Sequence, residues 1–269
     1  MQDNYTAFFK TNEQTWDLKV PIHAASEFYE VTSFKQGKTS LNPIELRELG
    51  EVSGKTLLHL QCHFGLDTMS WSRLGAKCTG IDLSSKGIEK ANDIKKDLNL
   101  PVTFVKSNVY DVPENVPGEF DIVFTSYGVI GWLPDLDLWA KVIVDKLKPG
   151  GVFYMVEFHP IMWMFDYTLE KPELKYGYNQ KEVIYEEYKG TYADTASSML
   201  SKEYGWNHGL GDVISALISA GLTIEFLHEF DEAPYDVFPG MLKNEKGQYE
   251  IPEGKRLHPL LYSIRAVKQ

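Results

Sequence analysis

From Lys55 to Phe158 the chain alternates short apolar runs with longer amphipathic stretches: KTLLHL, GLDTMSWSRLG, AKCTGID, SSKGIEKANDIKKDLN, VTFVKS, FDIVFTS, DLDLWAKVIVDKLKPGG and VFYMVEF. A strand that is apolar throughout has to be buried on both faces, and an intervening helix is the usual way to bring two such strands parallel. The alternation therefore predicts an α/β fold, a doubly wound and mostly parallel sheet covered by helices on both sides. After Pro160 the rhythm lapses into a stretch rich in Tyr and Glu, KEVIYEEYKGTYAD, with a turn-like Lys-Gly inside it. A hairpin cap inserted after the fifth strand is expected there. GDVISALISAG then reads as a helix and LTIEFLHEF and PLLYSIRAVK as strands, bringing the expected sheet to seven.

Ahead of the alternating unit, residues 1–50 read as helical. Asn12 can cap EQTWDLKV, Pro21 can open PIHAASEFYEV, and Asn42 followed by Pro43 can start PIELRELG. Trp16, His23, Phe28 and Tyr29 make this segment aromatic, suited either to packing on the sheet or to closing over a ligand. One domain is expected over 1–269: a helical N-terminal lid (1–50), a cofactor-binding half (51–159), an inserted cap (160–206), and a closing helix and strands (207–269).

With 43% hydrophobic and 24% charged residues and no low-complexity tract, the chain can bury a sizeable core. Its formal net charge of −11 works against a phosphate-tracking surface, so no nucleic-acid partner is expected. The N-terminal MQDNYTAFFKTNEQTWDLK lacks a cationic leader and an apolar core, and no run is long enough to span a bilayer, so a cytoplasmic protein without membrane association is expected. Cys62 and Cys78 are too few for a disulfide scaffold and lack metal-ligand spacing; reduced thiols and no metal are the expectation. Oligomeric state is left open.

In a doubly wound sheet the ligand lies across the carboxyl ends of the strands, where the strand order reverses. The loop after the first strand, LLHLQCHFG at 57–65, therefore comes first. The amides that open the following helix, at Gly65 and beyond, carry partial positive charge. Asp82 ends the second strand, where a carboxylate can accept both hydroxyls of a ribose; otherwise it caps the next helix through DLSS. Two positions that hold glycine in dinucleotide loops hold Gln61 and His63. A diphosphate must approach bare backbone, and these side chains crowd it. S-adenosylmethionine has no phosphate, only an amino-acid zwitterion that a few amides and polar side chains can meet, and histidine visits positive φ more readily than most residues.

At these residues the chain resembles the class I S-adenosylmethionine-dependent methyltransferases, whose fold is Rossmann-like. LLHLQCHFG stands where that family has an acidic residue and then G-x-G-x-G; His59 replaces the acid, Gln61 and His63 replace glycines, and Gly65 is kept. The resemblance implies that Asp82 in GIDLS takes the ribose and that Leu83 flanks the adenine. It implies that Asn108 in VKSNVYDVP meets the adenine amino group, with Val109 beside the ring. Ser126 and Tyr127 in FDIVFTSYGVIGWLPD would stand beside the methionine and sulfonium end. The line from TWDLKVPIH through LLHLQCHFGLDT to EFHP and YGWNHGLGDV is similar to a set of bacterial proteins of this class.

The implied activity is methyl transfer to a small molecule. Such a transfer is an in-line displacement that needs alignment and exclusion of water, and a base only if the acceptor must lose a proton. His159 and Tyr127 are the candidate catalytic residues, His208 is a further candidate base, and Glu157 could orient His159. His59, inside an apolar strand, reads as a core residue. Tyr127, Trp132, Trp163 and Trp206 could line an aromatic pocket. Two alternatives stand beside this reading: a module that binds S-adenosylmethionine without catalysis, and a nicotinamide oxidoreductase, which would need a glycine loop that the sequence lacks.

Overall fold

The computed structural model describes residues 3–166, 173–237, 240–252 and 258–269. The central unit runs β1 (Thr56–Leu60), α4 (Leu66–Arg73), β2 (Lys77–Asp82), α5 (Ser85–Asp97), β3 (Thr103–Lys106), α6 (Val112–Asn115), β4 (Phe120–Ser126), α7 (Leu136–Lys146) and β5 (Leu147–Phe158), preceded by α1 (Asp3–Ala25), α2 (Val31–Lys35) and α3 (Pro43–Leu49). A hairpin, β6 (Gln180–Lys189) and β7 (Leu200–Asn207), leads into α8 (Leu210–Ser219), and β8 (Leu222–Phe230) and β9 (Leu261–Lys268) complete the sheet. Residues 167–172 of the segment expected as a cap lie outside the described residues.

The main sheet has the order β8-β9-β5-β4-β1-β2-β3, with β9 antiparallel to both neighbours and the other pairs parallel. Strand order reverses between β1 and β4, so the carboxyl ends of these two strands flank the crevice in which a ligand belongs. Side chains alternate along each strand, and this divides the core into two layers. Leu57, Phe124, Tyr154 and Val156 pack with Trp71, Ala91 and Ile94 of α4 and α5. Leu58, Val123, Phe153 and Met155 pack with Trp139, Ile143 and Leu217 of α7 and α8.

The first fifty residues depart from the reading of their local signals. Asn12 does not open a helix and Pro21 does not divide one, because α1 runs unbroken from Asp3 to Ala25 with Pro21 inside it. Asn12 is buried and its amide is spent on β7: Nδ2 donates to the Tyr204 carbonyl at 2.8 Å, and Oδ1 accepts the Tyr204 amide at 2.9 Å. Thr15 donates to the Lys202 carbonyl at 2.7 Å. α1 is thus sewn to the hairpin edge, and that docking holds a helix which its own sequence interrupts. Asn42 and Pro43 do start α3, with a capping box between Asn42 and Glu45.

Candidate functional site

The loop from β1 to α4 has the backbone of a glycine loop without its glycines. Gln61, His63 and Gly65 take φ of 56°, 52° and 76°, three left-handed residues at alternate positions. For Gln61 and His63 this costs roughly 1 to 2 kcal/mol each, strain of the kind that persists where a site needs the shape. Gly65 has no substitute, since a β-carbon there would overlap the Phe104 ring. The loop is tied down by the Cys62 amide to the Ile81 carbonyl at 2.8 Å, the His63 amide to Asp82 Oδ2 at 2.7 Å, and Gln61 Nε2 to the Val129 carbonyl at 2.9 Å.

Asp82 accepts the Ser84 amide on its other oxygen at 2.8 Å, and burial pushes its carboxyl up to about 6. Ser84, not Asp82, caps α5: its hydroxyl oxygen accepts the Gly87 amide at 2.9 Å. The same hydroxyl donates to Asp17 of α1 at 2.6 Å, and Asp17 also accepts the Lys86 amide at 3.0 Å. Leu83 is half-buried beside Asp82. At the end of β3, Asn108 Oδ1 accepts the Tyr110 amide at 3.1 Å, forming a turn, and Val109 is buried.

Ser126 ends β4 and donates to Asp67, in the first turn of α4, at 3.2 Å. Tyr127 sits at φ 29°, held by its amide to the Val156 carbonyl at 2.8 Å, and its hydroxyl donates to Glu45 at 2.8 Å. Glu157, buried, receives the Gly128, Val129 and Ile130 amides, the latter two at 2.7 and 3.1 Å. It anchors the loop after β4 and does not orient His159. His159 Nδ1 accepts the Ile161 amide at 3.3 Å and Nε2 faces Glu229 at 3.0 Å, with Tyr178 and Tyr262 beside the ring. These partners are separate from those of the 61–65 loop and of Tyr127. His208 Nε2 lies 2.7 Å from the Leu133 carbonyl, which fixes that nitrogen as a donor. His59 is a core residue, 2.8 Å from Thr68 and pushed by burial down to about 3.

The aromatic residues of the N-terminal segment close over this loop. His63 is packed by the rings of Trp16, Tyr29, Phe64 and His23 at 5.2, 5.3, 4.2 and 5.3 Å, and Trp16 meets Trp132 at 5.3 Å. His23 Nδ1 lies 3.1 Å from His63 Nε2. Lys19, 1% exposed, pairs with Glu203 among the rings of Trp16, Trp132, Tyr188 and Tyr192. Trp206 packs instead on Tyr5 and Phe8, Trp163 lies exposed against Phe158, and Tyr127 packs on Phe158 and Tyr235, so of the four expected pocket aromatics Trp132 is the one that meets the rings covering the loop.

Beyond the loop Tyr127 contacts Tyr235 at 5.6 Å, and Tyr235 stacks on Phe28 at 5.0 Å. Tyr29 and Tyr192 share a hydrogen bond. Tyr29, Asp67, Tyr127 and Tyr235 keep part of their surface open although burial is the leading cause that raises each of their pKa values. Glu45, fully buried, is pushed up to about 8 by burial. Of these, Asp67 follows Gly65 by two positions and could have been found in the sequence; Lys19, Glu45, Tyr192 and Tyr235 carried no signal.

Three side-chain atoms at the loop are buried without a protein partner: Gln61 Oε1, His63 Nδ1 and His23 Nε2. Among the described residues no group of three His, Cys, Asp or Glu is placed to hold a metal, and no helix is long and apolar enough to cross a membrane.

A family model described as a methyltransferase domain matches residues 58–153. The chain is 30% identical over 155 residues to an uncharacterised methyltransferase of Synechocystis sp., covering 56% of this chain and 70% of that one. It is 29% identical over 135 residues to a ubiquinone biosynthesis O-methyltransferase of Photorhabdus laumondii, covering 48% of this chain and 56%, little more than half, of the relative. The structure of an S-adenosylmethionine-dependent methyltransferase from Mesorhizobium loti superposes with a TM-score of 0.57 at 20% identity, over 87% of this chain and all of the other.

Proposed function

The chain belongs to the class I S-adenosylmethionine-dependent methyltransferases, and on that footing we propose that it transfers the donor's methyl group to a small molecule held beside Tyr29, Tyr127 and Tyr235. The observation that carries this reading is the left-handed backbone at Gln61, His63 and Gly65, with the His63 amide on Asp82. It reproduces a glycine-loop path while placing two side chains where a diphosphate would lie. A nicotinamide site is disfavoured on that ground.

The residues present fit the donor. Buried polar atoms without partners, Gln61 Oε1 and His63 Nδ1, stand on the loop that faces an amino-acid end. Each Asp82 oxygen has one amide donor, leaving lone pairs for ribose hydroxyls. Leu83 and Val109 would flank the adenine and Asn108 its amino edge, while Ser126 supports the methionine end through Asp67. S-adenosylmethionine, when bound, supplies an electrophilic methyl on a sulfonium. The chain's own part is placement: Glu157 fixes the loop after β4, Tyr127 is held by Glu45, and α1 with the hairpin excludes water.

A small acceptor is in keeping with a relative named for O-methylation in ubiquinone biosynthesis. Incubation with methyl-labelled donor and a metabolite extract, read by mass spectrometry, should give a labelled product of low mass that Asp82→Ala fails to make. Label found in protein or RNA and absent from small molecules would contradict the reading.

A further inference from the structure

Lysine is almost never fully buried without a partner, and the Lys19 side chain, in the middle of α1, is 1% exposed. Its ammonium pairs with Glu203 of β7 and donates to the Tyr188 hydroxyl of β6 at 3.3 Å; that hydroxyl donates in turn to the other Glu203 oxygen at 2.9 Å. Four rings surround this closed triangle, Trp16 at 4.8 Å from the ammonium and Trp132, Tyr188 and Tyr192 at 5.8, 5.7 and 5.8 Å. Aromatic faces joined by a carboxylate make a site for a desolvated cation. Here the occupant of the cage is the chain's own ammonium.

The cage draws on three parts of the chain: α1 gives Trp16 and Lys19, the hairpin gives Tyr188, Tyr192 and Glu203, and the loop after β4 gives Trp132. Trp16, Lys19 and His23 stand at the i, i+3, i+7 spacing of one helix face, and the first and last of them pack on His63. Between them Asp17 accepts the Ser84 hydroxyl and the Lys86 amide, just past Asp82. Trp132 is fixed by its own bond to the Gly128 carbonyl at 2.8 Å, in the loop to which Gln61 is tied. Asn12 and Thr15 sew the earlier turns of α1 to the β7 backbone, whereas Lys19 lies between the two residues that cover His63. An apolar side chain would hold the same seam at a lower desolvation cost. An ion pair differs in regaining its water when it parts, so a seam built on one can reopen.

Resting on the donor assignment above, we infer that Lys19 is the latch of a lid: its caged ammonium holds α1 to the hairpin, and parting from Glu203 limits the rate at which the demethylated donor leaves. Lys19 is a positioning residue that acts through Trp16 and His23. The cage is then specific for a primary ammonium ion, and a variant that lacks the lysine side chain should accept one from solution.

Stopped-flow release of S-adenosylhomocysteine, followed by tryptophan fluorescence, tests this in the full chain. Lys19→Ala should release the ligand tenfold faster or more. n-Propylammonium replaces the deleted carbons and nitrogen and should return the rate to within threefold of the parent; n-propanol, of the same size but uncharged, should not. An unchanged release rate in the variant, or restoration by the alcohol as complete as by the amine, would overturn the latch. In the unmodified protein, hydrogen exchange should slow in α1 and β7 together when S-adenosylhomocysteine is added, a measurement that serves if the variant folds poorly. Slowing in α1 alone, or in neither, would also overturn it. Failure of the unmodified protein to bind S-adenosylhomocysteine would instead overturn the donor assignment beneath it.

Discussion

Gly65 is under two constraints, of which Gln61 and His63 share one. All three are left-handed, but only at Gly65 would a β-carbon run into another side chain, the ring of Phe104. Gln61 recovers part of its strain through the hydrogen bond to Val129, and His63 packs among Trp16, Tyr29, Phe64 and His23. Gly65→Ala is therefore expected to cost about 2 to 4 kcal/mol in chemical denaturation, strain and overpacking together. Gln61→Gly should stay within about 1 kcal/mol of the parent, because relief of strain offsets the lost bond. Equal stability for Gly65→Ala and the parent would refute this reading of the loop. Glycine at 65 was legible as a motif position. That Gln61 and His63 keep the glycine backbone was not, because the sequence shows only their bulk.

At the scale of the element, α3 carries a carboxyl whose titration works against the fold. Glu45 closes the capping box by accepting the Asn42 amide at 2.6 Å, and burial raises it from 4.5 to about 8. Folding therefore takes up a proton between these two values. Stability falls as pH rises through the window from 4.5 to about 8, with no contribution below it and the full cost above it. Glutamine serves a capping box as well and does not ionise. Between pH 5 and pH 8 the unfolding free energy of Glu45→Gln relative to the parent should improve by roughly 2 to 4 kcal/mol. A difference that does not move with pH would contradict the assignment. The same element shows what local sequence can and cannot say. Asn42 and Pro43 spell their helix start in adjacent letters, and the parallel strands were equally plain because continuous apolar runs leave no exposed face. Asn12 carried the same start signal and was misleading, since its amide serves Tyr204, 192 residues away. No window of sequence contains that pairing.

Across the whole molecule, the sheet places its crevice between β1 and β4, while α1 and the hairpin close it from outside the matched domain. The closing contacts are long in sequence: Lys19 with Glu203, and Tyr29 with Tyr192. Residues at the strand ends could be picked out by motif, whereas the α1 and hairpin residues that pack against them, from distant parts of the chain, could not. The fold family dictates the former, and each chain supplies the latter with its own insertions. The net charge of −11 likewise spoke against a nucleic-acid partner and left the acceptor's identity open. The central claim, that a loop with one glycine of three holds S-adenosylmethionine, is tested most directly by calorimetric titration with S-adenosylhomocysteine and with NADH on the protein and its Asp82→Ala variant. Binding of the first ligand alone is expected, weakened in the variant by about 1 to 3 kcal/mol as for loss of a charge-assisted hydrogen-bond partner. Binding of NADH without S-adenosylhomocysteine, or an affinity indifferent to Asp82, would contradict it.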